Sequence, residues 1–152
     1  MKLIEEVLSK ENLNKAYLQV FRNKGSAGID GVSVNELKEH LQVHGDKIME
    51  DILKRKYKPK PVKRVEIPKD NGKVRKLGIP TVVDRVIQQA IAQVLGPIYE
   101  EEFSQHSYGF RPKRSCEMAI IKSLEYINDG HDWVVDIDLE RFFDTVNHDR
   151  LI

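Results

Sequence analysis

VKRVEIPKDNGKVRKLGIP, residues 62–80, decides the fold. VKRVEIP and KVRKLGIP flank KDNG, whose Asn71-Gly72 pair supplies a compact turn between two runs that favour extended chain. The spacing predicts a β-hairpin over 62–79. Its basic side chains project from one or both strands, into solvent or onto a ligand. The basic character extends beyond the hairpin. From Lys54 to Lys76 there are eleven Lys or Arg against two acids, Glu66 and Asp70, a local charge of +9. The net charge of the whole chain is +1, so the remainder carries −8. A segregated basic segment points to a polyanionic partner, and a solvated basic loop is the plain alternative.

The chain has 152 residues, enough for one large domain or slightly more, and 40% of them are hydrophobic, enough to build a core. A single cysteine, Cys116, excludes an internal disulfide and a thiolate metal cluster, and fits a reducing compartment. No apolar run approaches the roughly 20 residues that span a bilayer. The N-terminal MKLIEEVLSKENL is acidic and amphipathic, unlike a signal peptide. The expectation is a cytoplasmic protein with no membrane partner.

Outward from the hairpin, the remaining elements read as helices and loops. Residues 2–22 carry two apolar helical stripes, with a break expected at Glu11-Asn12 and Asn12 as a cap. NKGSAGIDG, 23–31, is a glycine-bearing loop. Ser33 and Glu36 have capping-box spacing and open a helix toward Tyr57, as one piece or as two broken near Gly45. KPKP, 58–61, ends it. After the hairpin, Thr81 caps a helix running to Leu95. Gly96-Pro97 is expected to interrupt it before a short helix from Tyr99 to Phe103. SYGFRPKRS, 107–115, is a loop, and Ser115 caps a helix that Asn128-Asp129-Gly130 stops. Val134 to Leu139 alternate as a strand, and Asn147 caps a last helix. The order predicts an α+β fold, without the glycine fingerprint of a dinucleotide-binding or P-loop fold.

The strand at 134–139 places Asp136 and Asp138 on one face, their Cα atoms roughly 6.5–7 Å apart. Such a pair suits hard divalent cations such as Mg²⁺. It equally suits a metal-bound sugar nucleotide, or two solvated acids with no ligand. Tyr108 and Phe110 beside Arg111 have the chemistry to stack on bases, or to pack in a core. Phe142 and Phe143 fit a core. Among five histidines only His40 and His44 share a ligand-like spacing, with no further donor pattern for zinc.

Four stretches in this order, NKGSAGIDGVSVNEL, RVEIPKDNGKVRKLGIPTVVDRVIQQAI, SYGFRPKRSCEMAI and VVDIDLERFFDTVNHDRL, closely resemble the first part of group II intron-encoded reverse transcriptases, the intron maturases. The likeness covers nearly the whole chain. Retron-type enzymes share part of it, but the glycine-bearing loop together with IPK-x₅-RKLGIP favours the intron type. The resemblance implies N-terminal helices and the loop over 1–32, a fingers subdomain over 33–130, and the start of a palm, with its first strand, over 131–152. It makes Asp138 the catalytic and metal-binding aspartate, with the carbonyl of Leu139 as a further Mg²⁺ contact. Phe143, five residues on, becomes the gate that rejects a ribose. Lys69 and Arg75 hold the triphosphate of the incoming dNTP, and Lys63 and Arg64 face the template. Lys24, Gly25, Ser26 and Gly28 lie in a loop over template and primer, and Tyr108, Arg111 and Arg114 in a second template-facing segment. Asp136 has no assigned role.

The implied activity is RNA-directed DNA synthesis, in which a primer 3′-OH attacks the dNTP α-phosphate with two Mg²⁺ ions. Group II intron RNA, an RNA template and a DNA primer are the implied partners. No Tyr-Ala-Asp-Asp, the family's second catalytic signature, occurs in the sequence. The expectation is therefore a part of such an enzyme that binds RNA, does not polymerise alone, and self-associates as a homodimer. A non-catalytic RNA-binding module is the alternative.

Overall fold

The computed structural model describes residues 2–68, 72, 74–139, 142–147 and 150, with backbone only at 143 and 144. It divides into two compact units, residues 1–103 and 104–152.

The first unit contains α1 (Leu3–Val7), α2 (Lys10–Arg22), α3 (Leu37–Leu53), β1 (Lys63–Pro68), β2 (Val74–Ile79) and α4 (Val82–Glu100). Its core forms on α4. Val82, Val86, Ala90 and Val94 recur at helical spacing, and Val83 widens the stripe. They are buried with Val7 of α1, Ala16 and Val20 of α2, Val34, and Leu37 at the start of α3. Ala16, Leu37, Val82 and Ala90 have no exposure at all.

The first helical stretch breaks earlier than its sequence suggests. Ser9, not Asn12, is the N-cap of α2, its hydroxyl accepting the Asn12 N–H at 3.3 Å. Asn12 is claimed by tertiary partners instead. Its amide donates to the carbonyls of Val7 (3.0 Å) and Ala90 (2.9 Å). Its side-chain oxygen accepts from Gln93 at 2.7 Å. A polar clamp thus ties α2 to α4 beside their apolar contact.

α3 runs unbroken through Gly45. The Ser33 N–H and hydroxyl both donate to Glu36, at 2.9 and 2.6 Å, but helical geometry starts only at Leu37. α4 also runs on where a break was expected, with Pro97 inside it. Proline normally repels helix from the preceding residue through that residue's Cβ. Gly96 has none, so that clash is absent, although Pro97 still forgoes the N–H bond that other residues make one turn back.

The hairpin forms as expected. β1 and β2 are antiparallel, in register from Lys63↔Ile79 to Pro68↔Val74. Gly72, in the connection, has φ +74°, which glycine adopts without strain.

The second unit contains α5 (Cys116–Asn128) and α6 (Phe142–Thr145). Ser115 caps α5, accepting the Met118 N–H at 3.4 Å. Gly130, at φ +89°, ends its C-terminal turn, and the His131 N–H reaches back to the Tyr126 carbonyl at 3.0 Å. The first palm strand expected at 134–139 does not form: residues 131–139 have no regular secondary structure. A strand exists only through a partner's hydrogen bonds, and the described residues of this unit contain no other strand. Val135 and Ile137 are 81% and 82% exposed. The short helix α6 was not expected. The Asn147 side chain accepts the Arg150 N–H at 3.1 Å, as a cap would, while 148 and 149 lie outside the described residues.

Candidate nucleic-acid interface

The hairpin register assigns its cations to faces. Side chains alternate along each strand, and paired residues share a side. Lys63, Val65 and Ile67 therefore share one face with Ile79, Leu77 and Arg75. Arg64, Glu66 and Pro68 share the other with Gly78, Lys76 and Val74. Lys63 and Arg75 are four positions apart along the ribbon, roughly 13 Å. Lys63 and Arg64, grouped by sequence as template-facing, point to opposite sides. Lys63, Arg64, Arg75 and Lys76 are all exposed, and none enters an ion pair among the described residues. Lys69 lies outside the described residues.

The base of the hairpin is pinned to the first turn of α4. Thr81 caps that helix, its hydroxyl accepting the Asp84 N–H at 3.1 Å and donating to the Asp84 carboxylate at 2.6 Å. Asp84 is 3% exposed. It also accepts from the Tyr57 hydroxyl at 2.5 Å and the Lys60 N–H at 3.3 Å. Burial pushes the Tyr57 phenol above the ordinary tyrosine range, and the hydrogen bond to Asp84 and its charge push it further. The Lys60 ammonium reaches Asp30 at 3.2 Å.

Arg85, next to Asp84, donates to the Ser26 carbonyl at 2.5 Å. A Cβ on Gly25 would overlap the Arg85 guanidinium, and one on Gly28 would strike the Thr81 backbone. The glycine-bearing loop thus lies against the start of α4, and two of its glycines have packing reasons for being there. Lys24, at the head of the loop, has φ +47° and is exposed.

In the second unit, Arg111 donates to the carbonyls of Ser104 (2.6 Å) and Ser107 (3.0 Å), closing its loop on itself. The Arg114 guanidinium stands 5.6 Å from the centre of the Tyr108 ring, a cation–π pair. Phe110, expected either to stack or to pack, is fully exposed at φ +56°.

Asp136, Asp138 and Leu139 lie in the irregular, exposed segment, and the Phe143 side chain is not among the described groups. No group of three or more metal-ligating side chains occurs among the described residues. A two-ion Mg²⁺ site needs oxygen donors converging from separate segments. The donors among the described residues do not make up one. The His40 and His44 rings lie 4.6 Å apart, tilted by 48°, without a third ligand among those residues.

Sequence reasoning missed Tyr57, Lys60, Asp84 and Arg85. The one local signal was Thr81-x-x-Asp84, which has the spacing of a capping box.

The family model described as reverse transcriptase (RNA-dependent DNA polymerase) matches residues 67–152, more than half of the chain. Protein YkfC of Escherichia coli (strain K12) is 38% identical, over 99% of this chain and 41% of its own length. Group II intron-encoded protein LtrA of Lactococcus lactis subsp. cremoris is 39% identical, over 90% of this chain and 23% of its own length. The putative COX1/OXI3 intron 1 protein of Saccharomyces cerevisiae is 29% identical, over 99% and 20%. The chain therefore spans less than half the length of these relatives. A chain in the partial Cas6-RT-Cas1–Cas2 complex has a similar fold, with a TM-score of 0.56 at 21% identity, covering 99% of this chain and 24% of that one. No helix among the described residues is long and apolar enough to cross a membrane. The match takes in the hairpin only from Ile67 onward, and the chain belongs to the reverse transcriptase (RNA-dependent DNA polymerase) family, with group II intron-encoded proteins among its relatives.

Proposed function

We propose that this chain is the template- and nucleotide-facing part of a group II intron-encoded RNA-directed DNA polymerase, and that its own activity is RNA binding. The cationic hairpin is the observation that carries this reading. Four exposed Lys and Arg side chains without acidic partners among the described residues attract polyanions and release counterions on binding. Arg75, with Lys69, would hold a dNTP triphosphate, and Lys63 and Arg64 would meet template phosphates from opposite sides of the ribbon. Lys24, Gly25, Ser26 and Gly28 would cover template and primer, and Tyr108, Arg111 and Arg114 a further stretch of template. Asp138 and the Leu139 carbonyl would contribute to a Mg²⁺ site completed by other segments, with Phe143 as the sugar gate. The division into 1–32, 33–130 and 131–152 belongs to this reading. So does the absence of DNA synthesis by the chain alone.

Filter binding to single-stranded group II intron RNA across a salt series tests the proposal. Binding should weaken steeply with salt, and primer extension by the 152-residue chain should be nil. Absent or salt-independent binding overturns the RNA-facing reading, and robust extension overturns the claim of inactivity.

A further inference from the structure

We propose that Asp84 is a positioning residue: one buried carboxylate fixes the base of the basic hairpin and, through Lys60, the glycine-bearing loop. The inference rests on the reading of both segments as RNA-facing. Residues 57–60 lead into β1, and Thr81 follows β2. Both ends of the hairpin therefore converge on the same carboxylate, through Tyr57 and Lys60 on one side and Thr81 on the other. A carboxylate this buried needs donors, and these three supply them.

Lys60 is flanked by Pro59 and Pro61, which have no N–H. It offers the single backbone donor of that tripeptide, and Asp84 takes it. The Lys60 ammonium turns the other way, to Asp30, whose side chain is 10% exposed. Asp30 also accepts the Val32 N–H at 3.3 Å, at the exit of the loop. Arg85 holds the loop nearer its start, through the Ser26 carbonyl. Asp84 and Arg85 thus secure two segments that are far apart in sequence. Lys60, although basic, is spent on this joint.

The antiparallel ladder lets the hairpin carry a tilt at its base to its tip. Six residues reach roughly 20 Å, so a tilt of about 10° at the base moves the tip roughly 3.5 Å. That displacement is enough to break a hydrogen bond to a phosphate.

Asp84→Asn in the full chain tests the joint. It keeps the size of the side chain but replaces one acceptor with a donor. Exchange of the Lys60 amide should rise about tenfold or more while α2 amides stay unchanged, as expected for loss of a charge-assisted hydrogen bond. RNA affinity should fall about tenfold, the loss of one charge-assisted contact to phosphate from the displaced hairpin. In a Lys63→Ala/Arg64→Ala/Arg75→Ala background the same change should cost less than about twofold, because the two lesions share one route. Fully additive losses, or unchanged Lys60 exchange, overturn the proposal. If the triple variant binds RNA as tightly as the native chain, the RNA-facing reading fails, and Lys60 exchange still decides whether the joint exists. Should Asp84→Asn fail to fold, Tyr57→Phe, which removes another donor to the same carboxylate, should lower RNA affinity in the native chain but not in the triple-alanine background; equal losses in both overturn the proposal.

Discussion

Gly28 rests on the backbone of Thr81: a Cβ at Gly28 would lie 2.6 Å from the Thr81 Cα and 2.8 Å from its nitrogen. Neither backbone can move far, because Thr81 is 1% exposed and caps α4. Gly28→Ala should therefore destabilise the chain by about 1–3 kcal/mol through overpacking. Urea denaturation should show a lower midpoint at unchanged slope; an unshifted midpoint would mean that the loop lifts off freely.

Leu37 is completely buried at the start of α3, against the core built on α4. Truncation leaves a cavity that helix ends close poorly. Leu37→Ala should cost about 2–5 kcal/mol, measured by the same denaturation. A cost below about 1 kcal/mol would show that the site collapses to fill the gap.

Tyr57 gives a pH signature. Its folded-state phenol titrates above the ordinary value of 10.0, chiefly through burial and then through Asp84. A raised folded pKa contributes stability that is complete below the unfolded value and lost as pH rises toward the folded one. Tyr57→Phe should be less stable near neutral pH by about 1–2 kcal/mol, discounted for partial exposure. The gap to the native chain should hold up to about pH 9 and narrow above about pH 10, where the ordinary tyrosine begins to ionise. A gap that widens in that range would reverse the sign.

Lys63 and Arg64 are neighbours in sequence and opposite in space. Each alanine substitution should lower the salt slope of single-stranded RNA binding by about 0.7 for every phosphate that the native side chain neutralises. Because no single phosphate can bridge the two faces, the two effects should add within about 0.5 kcal/mol. Strong coupling in the double variant would place both side chains on one phosphate.

Trp133, Val134, Val135 and Ile137 are exposed at 94%, 86%, 81% and 82%. α5 in the same unit has no buried residue. Apolar surface of this kind drives association. Sedimentation velocity on the isolated chain should show concentration-dependent self-association, and Ile137→Asp should weaken it. A monomer at all concentrations would leave that surface without a self-partner.

What the sequence disclosed was local chemistry. Asn71-Gly72 marked the hairpin, and Thr81 and Ser115 marked helix starts, because a cap acts on an N–H only three residues away. What it concealed depended on distant partners. The sequence points to Asn12 as the cap of α2, but its side chain bonds Ala90 and Gln93, some eighty residues away, and Ser9 is the cap. The alternation at 134–139 specified two faces for a strand but not a partner to pair with. In the sequence Asp84 is one acid among many, since nothing near it announces Tyr57, 27 residues earlier. The hairpin cations were legible as residues but not as faces. A run such as Lys63-Arg64 reads as one patch until its strand is known.

That alternation has a consequence for how a charged ribbon works. With one ammonium and one guanidinium on each side, Lys63 and Arg75 against Arg64 and Lys76, the hairpin offers two separate cationic faces. Two anionic groups on opposite sides of it would each be neutralised from its own side and held apart by the ribbon between them. Repulsion that would expel two such ligands from a shared groove would be weakened by that separation and by the cations on each face.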